Sequence, residues 1–210
     1  MTKPIIGYVG LSHLGICHLL ASASKNYKVY GFDKNKNILE IYKNKKALIK
    51  EKNLRKNLIK FYKNISFTNS FKDLSKCDIV YISADVKTDD KGNSDLVEIK
   101  KYVKDTLKFV NKKSIIVILS QVPPGFTRKI NWPKNRLYYQ VETLIFGEAI
   151  NRAEFPERII LGGEDSSIKK FDHKLLFFLK SFKCPIINMN YESAELCKIS
   201  INMFLISNVT

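Results

Sequence analysis

YVGLSHLG, residues 8–15, decides how this chain of 210 residues is built. It contains Gly10 and Gly15, and Gly7 lies just ahead of it. The apolar run PIIGYV (4–9) leads into it and reads as a strand. The stretch from about Leu14 to Ser24 leads out of it and reads as a helix. A glycine between strand and helix supplies backbone conformations closed to other residues, or lets a second group come close. The register of these glycines is therefore the first thing to settle.

If Gly7 opened the turn, the strand would shrink to KPII and the later glycines would fall at wrong offsets. If Gly10 opens it, the strand has a usable length and the turn reads Gly10-Leu11-Ser12-His13-Leu14-Gly15. That is GxSxxG, the dinucleotide-binding turn GxGxxG with Ser12 at its second glycine. The next strand supports this register. KVYGFD (28–33) closes on Asp33, about 20 residues on, where such folds place an acid to accept from ribose hydroxyls. Gly10 is expected to make the tight turn, and Gly15 to let the helix pack closely on the sheet. Ser12 is small enough for a diphosphate to approach, and its hydroxyl can donate to it. The helix N-terminus beyond it favours negative charge. Asp33, rather than an arginine there, points to NAD over NADP, with Lys34 and Lys36 weighing the other way.

The alternation continues outward. A lysine-rich stretch (39–62) reads as two helices, ISFT (65–68) as a strand and SFKDLSKC (70–77) as a short helix. DIVYIS (78–83), SIIVILS (114–120), RLYYQV (136–141), RIILGG (158–163) and PIINM (185–189) read as strands. SDLVEIKKYVKDTLKFV (94–110) is a helix capped by Ser94 or Asp95. SIKKFDHKLLFFLKSF (167–182) and SAELCKISINMFLISNV (193–209) are two more helices. Strands that are apolar throughout, separated by helices, indicate a mostly parallel sheet covered on both faces: a doubly wound α/β domain of Rossmann type.

Composition narrows the partners. Apolar residues make up 45% of the chain, enough for a packed core. No apolar run is long enough to cross a bilayer, the first residues have no signal-peptide layout, and a cytoplasmic location is expected. The net charge of +16 comes mainly from lysines interleaved with asparagines. No nucleic-acid motif accompanies it, so we expect solvated helix faces rather than a nucleic-acid or membrane partner. Cys17, Cys77, Cys184 and Cys197 form no CxxC pair, and His13, His18 and His173 do not cluster with them, so no metal is expected.

Four later segments resemble the UDP-glucose/GDP-mannose 6-dehydrogenase family, the nucleotide-sugar dehydrogenases. CDIVYISADVKTDDKGNSDL (77–96) aligns with its strand, GTP tripeptide, polar loop and helix start. SQVPPGFTR (120–128) resembles STVPVGTTR, and ETLIFGEAI…FPERIILGG (142–163) resembles EFLxEGxAI…PxRIVIG. SAELCKISINMFLISNV resembles AELxKYxxNxFLAxKI. The resemblance runs through the whole chain in order. It implies NAD as cofactor, with Ser120 beside it, and a nucleotide sugar, a UDP-hexose by preference, as substrate. It makes Glu142 an acid/base for the hydrolytic half of the reaction. It makes Lys198 and Asn202, one helical turn apart, a pair that holds the sugar and stabilises a developing oxyanion. The family's central helix is also a dimer element, which implies a homodimer through the last helix.

Departures from the pattern stand beside these matches. Asp85, Val86 and Lys87 replace Gly-Thr-Pro. Gln121 replaces a threonine implicated in placing the catalytic water, and Phe146 replaces the second glutamate of EFLxEG. The family oxidises an alcohol to an acid with two NAD⁺ and a cysteine thiolate that captures the aldehyde. None of the four cysteines has the setting of that nucleophile. Residues 1–190 are therefore expected to form the NAD-binding domain and 191–210 the start of the central helix. The nucleophile segment and the UDP-binding domain fall outside this chain, which alone should bind NAD without completing the oxidation. Three rivals remain open: a β-hydroxyacid or 6-phosphogluconate-type dehydrogenase, a degenerate NAD-binding module, and a basic nucleic-acid-binding protein.

Overall fold

A computed structural model describes residues 2–87, 89, 94–167 and 171–207. Eight strands form one sheet: β1 (Ile6–Val9), β2 (Val29–Phe32), β3 (Ile65–Thr68), β4 (Ile79–Ile82), β5 (Ile115–Ile118), β6 (Leu137–Gln140), β7 (Ile159–Gly163) and β8 (Ile186–Asn190). Their spatial order is β3-β2-β1-β4-β5-β6-β7-β8. The first six follow the order of a dinucleotide-binding sheet. Every pair is parallel except β6 with β7, which run antiparallel.

Successive strand residues point to opposite faces, so an apolar strand buries both sides. In β4, Ile79 and Tyr81 join one core layer while Val80 and Ile82 join the other. Ile115 and Val117 of β5 divide from Ile116 and Ile118 in the same way. The first layer is closed by α1 (His13–Ser24), α2 (Lys36–Lys43), α3 (Leu54–Phe61), α5 (Ala149–Glu154) and α6 (His173–Lys180). The second is closed by α4 (Val97–Phe109) and α7 (Tyr191–Ser207). Helix α4 buries Ile99, Tyr102, Val103 and Thr106, one stripe at helical spacing. This is the doubly wound α/β fold that the alternation of elements implies.

The boundaries differ from the sequence reading in instructive places. Pro4 and Ile5 lie outside β1, although the Ile5 amide still donates to Asp78 (3.0 Å). Helix α4 starts later than Ser94, and its cap position is Leu96. Asp95 nonetheless accepts from the Val97 amide (2.9 Å), so an aspartate closes the helix start from one residue further back. The SFKDLSKC segment is a 3-10 turn over Phe71–Lys76. Of the expected helix over 167–182, residues 168–170 lie outside the described residues, and α6 begins at His173 with Asp172 as its cap. Residues 208 and 209 of the expected last helix also lie outside them. No described helix is long and apolar enough to cross a membrane.

Candidate active site

The glycine turn adopts the Gly10 register. Gly7 lies inside β1, and Gly10 has φ +94°, a left-handed conformation that disfavours any side chain. A Cβ on Gly10 would also stand 2.6 Å from the Ala84 backbone. A Cβ on Gly15 would meet the Gly10 carbonyl oxygen at 1.9 Å, so the first turn of α1 packs directly on the strand end. Three bonds fix this corner: the Gly10 amide to Phe32 O (2.9 Å), Ser83 Oγ to Gly10 O (2.9 Å), and the Leu11 amide to Asp33 Oδ2 (2.9 Å). Asp33 takes a second amide, from Asn35, on Oδ1 (2.8 Å). Each carboxylate oxygen accepts twice, so one site on each is left for a ligand. Ser12 caps α1 without a side-chain bond to it, and its hydroxyl lies 3.4 Å from Ser83 O. Helix geometry leaves the amides of His13, Leu14 and Gly15 outside the helical ladder, the arrangement that receives an anion.

Two neighbouring clefts open at the C-terminal ends of the parallel strands. One, of about 310 Å³, is lined by Gly10, Ser12, Asp33, Lys34, Asp85 and Tyr102, among others. The other, of about 300 Å³, is lined by His13, Leu14, Gln121, Glu142, Phe146 and Lys198, among others. Ala84 and Asp85 border both, so the first of the tripeptide replacements stands at the passage between them. Lys34 leans over the Tyr102 ring (4.2 Å) and pairs with Asp105 (3.5 Å). Leu11 is fully buried and its amide is taken by Asp33, so it shapes the corner and, contrary to expectation, presents no group to a cofactor. Ser120 is buried as well, and its hydroxyl donates inward to Ala84 O (2.5 Å), tying the end of β5 to that of β4.

In the second cleft the separate sequence segments meet. Lys198 Nζ donates to Asn202 Oδ1 (3.2 Å), and Asn202 Nδ2 donates to Gln121 Oε1 (2.9 Å). Gln121 thus has a partner on α7. Burial pushes the Lys198 amine below its ordinary range, and the Glu142 carboxylate across the cleft pulls it back up. Glu142 is 8% exposed; His18 Nε2 bonds its Oε2 and the Leu144 amide donates to its Oε1. Phe146 lays its ring on His13, with centroids 4.5 Å apart.

Three site residues had no role in the sequence reading. Glu51 accepts from His13 Nε2 (2.6 Å) and from the amides of Gly147 (2.7 Å) and Ala149 (3.2 Å), fastening the Phe146 turn to α1. His18 holds Glu142. Glu195, fully buried on α7, accepts from the amides of Gly125 (2.5 Å) and Thr127 (2.8 Å) and so sets α7 against the loop that carries Gln121. The cysteines do not stand in this cleft's lining. Burial keeps the Cys17 thiol far above its ordinary value and pushes Cys77 up to about 12, so neither is a thiolate nucleophile. Among the described residues no group of three or more His, Cys, Asp and Glu side chains is placed to hold a metal.

A dinucleotide turn, an acid closing β2 and a polar cleft beside them define a dinucleotide-binding domain of Rossmann type. Residues 5–177 match the UDP-glucose/GDP-mannose dehydrogenase family, NAD binding domain, and the chain belongs to that family. It is similar to a UDP-glucose 6-dehydrogenase of Campylobacter jejuni, 27% identical over 208 residues, covering 97% of this chain and 52% of that protein. An uncharacterised protein of Methanocaldococcus jannaschii is 27% identical over 215 residues, covering 98% of this chain and 24% of that protein. In fold it is similar to a GDP-mannose dehydrogenase of Pseudomonas aeruginosa, TM-score 0.88 at 21% identity, covering 97% of this chain and 50% of that one. The chain thus spans about half the length of most of these relatives, and a quarter of the archaeal one.

The residues present fit NAD. Ser12, small and uncommitted to the helix, borders the cleft where a diphosphate would approach, the helix start offers amides outside the helical ladder, and Asp33 keeps acceptor sites.

Proposed function

We propose that this chain is the NAD-binding part of a nucleotide-sugar 6-dehydrogenase that converts a UDP-hexose, two NAD⁺ and water to a UDP-uronate. The reading is carried by one observation: Lys198 and Gln121, joined through Asn202 by hydrogen bonds, line with Glu142 a cleft that adjoins the glycine turn. Bound NAD supplies the hydride acceptor. The Lys198 ammonium and the Asn202 amide hold the sugar and stabilise an oxyanion as it develops. Glu142 moves the proton of the hydrolytic half, with Gln121 ordering the water. Ser12 and the amides of His13, Leu14 and Gly15 receive the diphosphate on the turn that Gly10 shapes, and Asp33 the adenosine ribose, with Lys34 beside it. Ser120 acts beneath the cofactor by holding the Ala84 strand end.

The same reading makes residues 1–190 the cofactor domain and α7 the start of a central helix. Leu196, Met203 and Phe204 lie 53%, 65% and 70% exposed on α7, an apolar face that suits a homodimer contact. Four free cysteines suit a reducing compartment, the cytoplasm.

The test is NADH formation from UDP-glucose by the complete protein that carries this chain. Two NADH per uronate are expected, and Lys198→Ala or Asn202→Ala should lower the rate by about 100-fold or more. One NADH per substrate, or turnover of a β-hydroxyacid instead, would overturn the reading.

A further inference from the structure

We propose that His18 is a positioning residue for Glu142, fixing the direction of its carboxylate at the back of the cleft. The proposal rests on the reading of Glu142 as the acid/base group. Glu142 is the partition between two spaces: the cleft that holds Lys198, and a small cavity of about 30 Å³ lined by His18. His18 lines only the inner space, so it reaches the cleft through the carboxylate alone. Its Nε2 holds Oε2 while the Leu144 amide holds Oε1. The terminal torsion of a glutamate is broad and easily turned. Two anchors fix it, and each oxygen keeps one acceptor site for the cleft side.

The two side chains are 12% and 10% exposed, so the bond between them is made with little water around it. The surroundings leave the pair intact. Tyr8 of β1 and Tyr81 of β4 border the small cavity and are held neutral by burial. Arg152 of α5 and Arg158 ahead of β7 border it too. Cys17 of α1 is held neutral by burial, and Lys198 of α7 acts on Glu142 from the cleft. Among the described residues, His18 is the side chain that bonds the Glu142 carboxylate.

Steady-state kinetics of the complete protein test this. His18→Leu fills the space without a donor, and kcat with UDP-glucose is expected to fall about 10-fold or more while KM for NAD⁺ stays within about 2-fold. His18→Gln keeps an N–H donor and should recover most of the rate. In the chain itself, the Leu144 amide signal in NMR should hold its place in His18→Gln and move in His18→Leu. A full rate in His18→Leu, or a loss in His18→Gln as large as that in His18→Leu, would overturn the proposal, as would a Leu144 signal unmoved in both. Undiminished turnover of Glu142→Gln would instead remove the acid/base reading of Glu142, a failure separate from that of the anchor.

Discussion

The two clefts were assembled by different means. The corner of β1, α1 and β2 is made mostly of backbone: Gly10, Gly15 and the amides of Leu11 and Asn35 fit together with almost no free space, and two side chains, Asp33 and Ser83, close it. The neighbouring cleft is made of side chains from distant segments, each held by another: Gln121 by Asn202, Glu142 by His18, His13 by Glu51. Close backbone packing leaves few substitutions open. A network of side chains allows one partner to be exchanged for another, and this is where Gln121 and Phe146 depart from the family pattern. The difference teaches that the glycines of the corner are fixed by packing, while departures gather where side chains line the clefts, Gln121 and Phe146 in one and Asp85 and Lys87 in the other.

The comparison breaks first at Gly15. Gly15→Ala forces a methyl to 1.9 Å from the Gly10 carbonyl, and we expect a loss of about 3 kcal/mol or more in urea unfolding, together with NAD⁺ binding. If this variant folds and binds like the parent, the corner is not close-packed backbone.

On the other side, Glu195→Ala leaves the amides of Gly125 and Thr127 unpaired and should cost about 2–3 kcal/mol. A pH series sharpens this. Burial raises the Glu195 carboxyl above its ordinary range despite its bonds to Thr127 and Gly125. A folded value above the unfolded one gives a contribution that is whole below the unfolded value, about 4.3, and is lost as pH rises through the folded value. The stability gap between the parent and the neutral Glu195→Gln is therefore expected to be widest near pH ~4 and to narrow toward pH ~8. A gap that stays constant contradicts the buried carboxyl.

A smaller effect concerns Lys198. Its amine should lose its proton below the ordinary lysine range, and further down in Glu142→Gln, because the carboxylate that raises it is gone. Titration of the lysine Cε signals by NMR reads this, and an unchanged midpoint in the variant would separate the two residues. The smallest effect is expected from Phe146→Glu, which restores the family's carboxylate. Phe146 is 84% exposed and gives up only its stack on His13, about 0.5–1 kcal/mol. A loss of several kcal/mol would make Phe146 a structural residue rather than an exchangeable one.

Legibility in the sequence divides along the same line. The Gly10 register, Asp33 and the strands apolar on both faces were readable because each is local: a turn, a strand end, a period of two. Asp33 still held something back. It was read as waiting for a ribose, and it also holds the amides of Leu11 and Asn35. Ser120 was read beside the cofactor, and its hydroxyl is turned inward to Ala84. Asp95 was readable as a helix-start acid, but the helix opens one residue later than a formal cap would place it. Glu51 lies in a lysine-rich stretch with no pattern to single it out, and its partners are 38, 96 and 98 residues away. His18 and Glu142 are 124 residues apart, and Glu195 reaches 70 residues back to Gly125. Such pairings are set by the winding of the sheet, which brings the ends of β1, β5 and β6 together, and no local spacing records them.

The most direct measurement of the central claim is calorimetric titration of the chain with NAD⁺ and then NADP⁺, at two salt concentrations, with Ser12→Trp as comparison. The account predicts saturable binding of NAD⁺ in preference to NADP⁺ that is lost when the indole fills the turn. Failure to bind either cofactor, or binding that Ser12→Trp leaves unchanged, would contradict the Gly10 turn as the cofactor site.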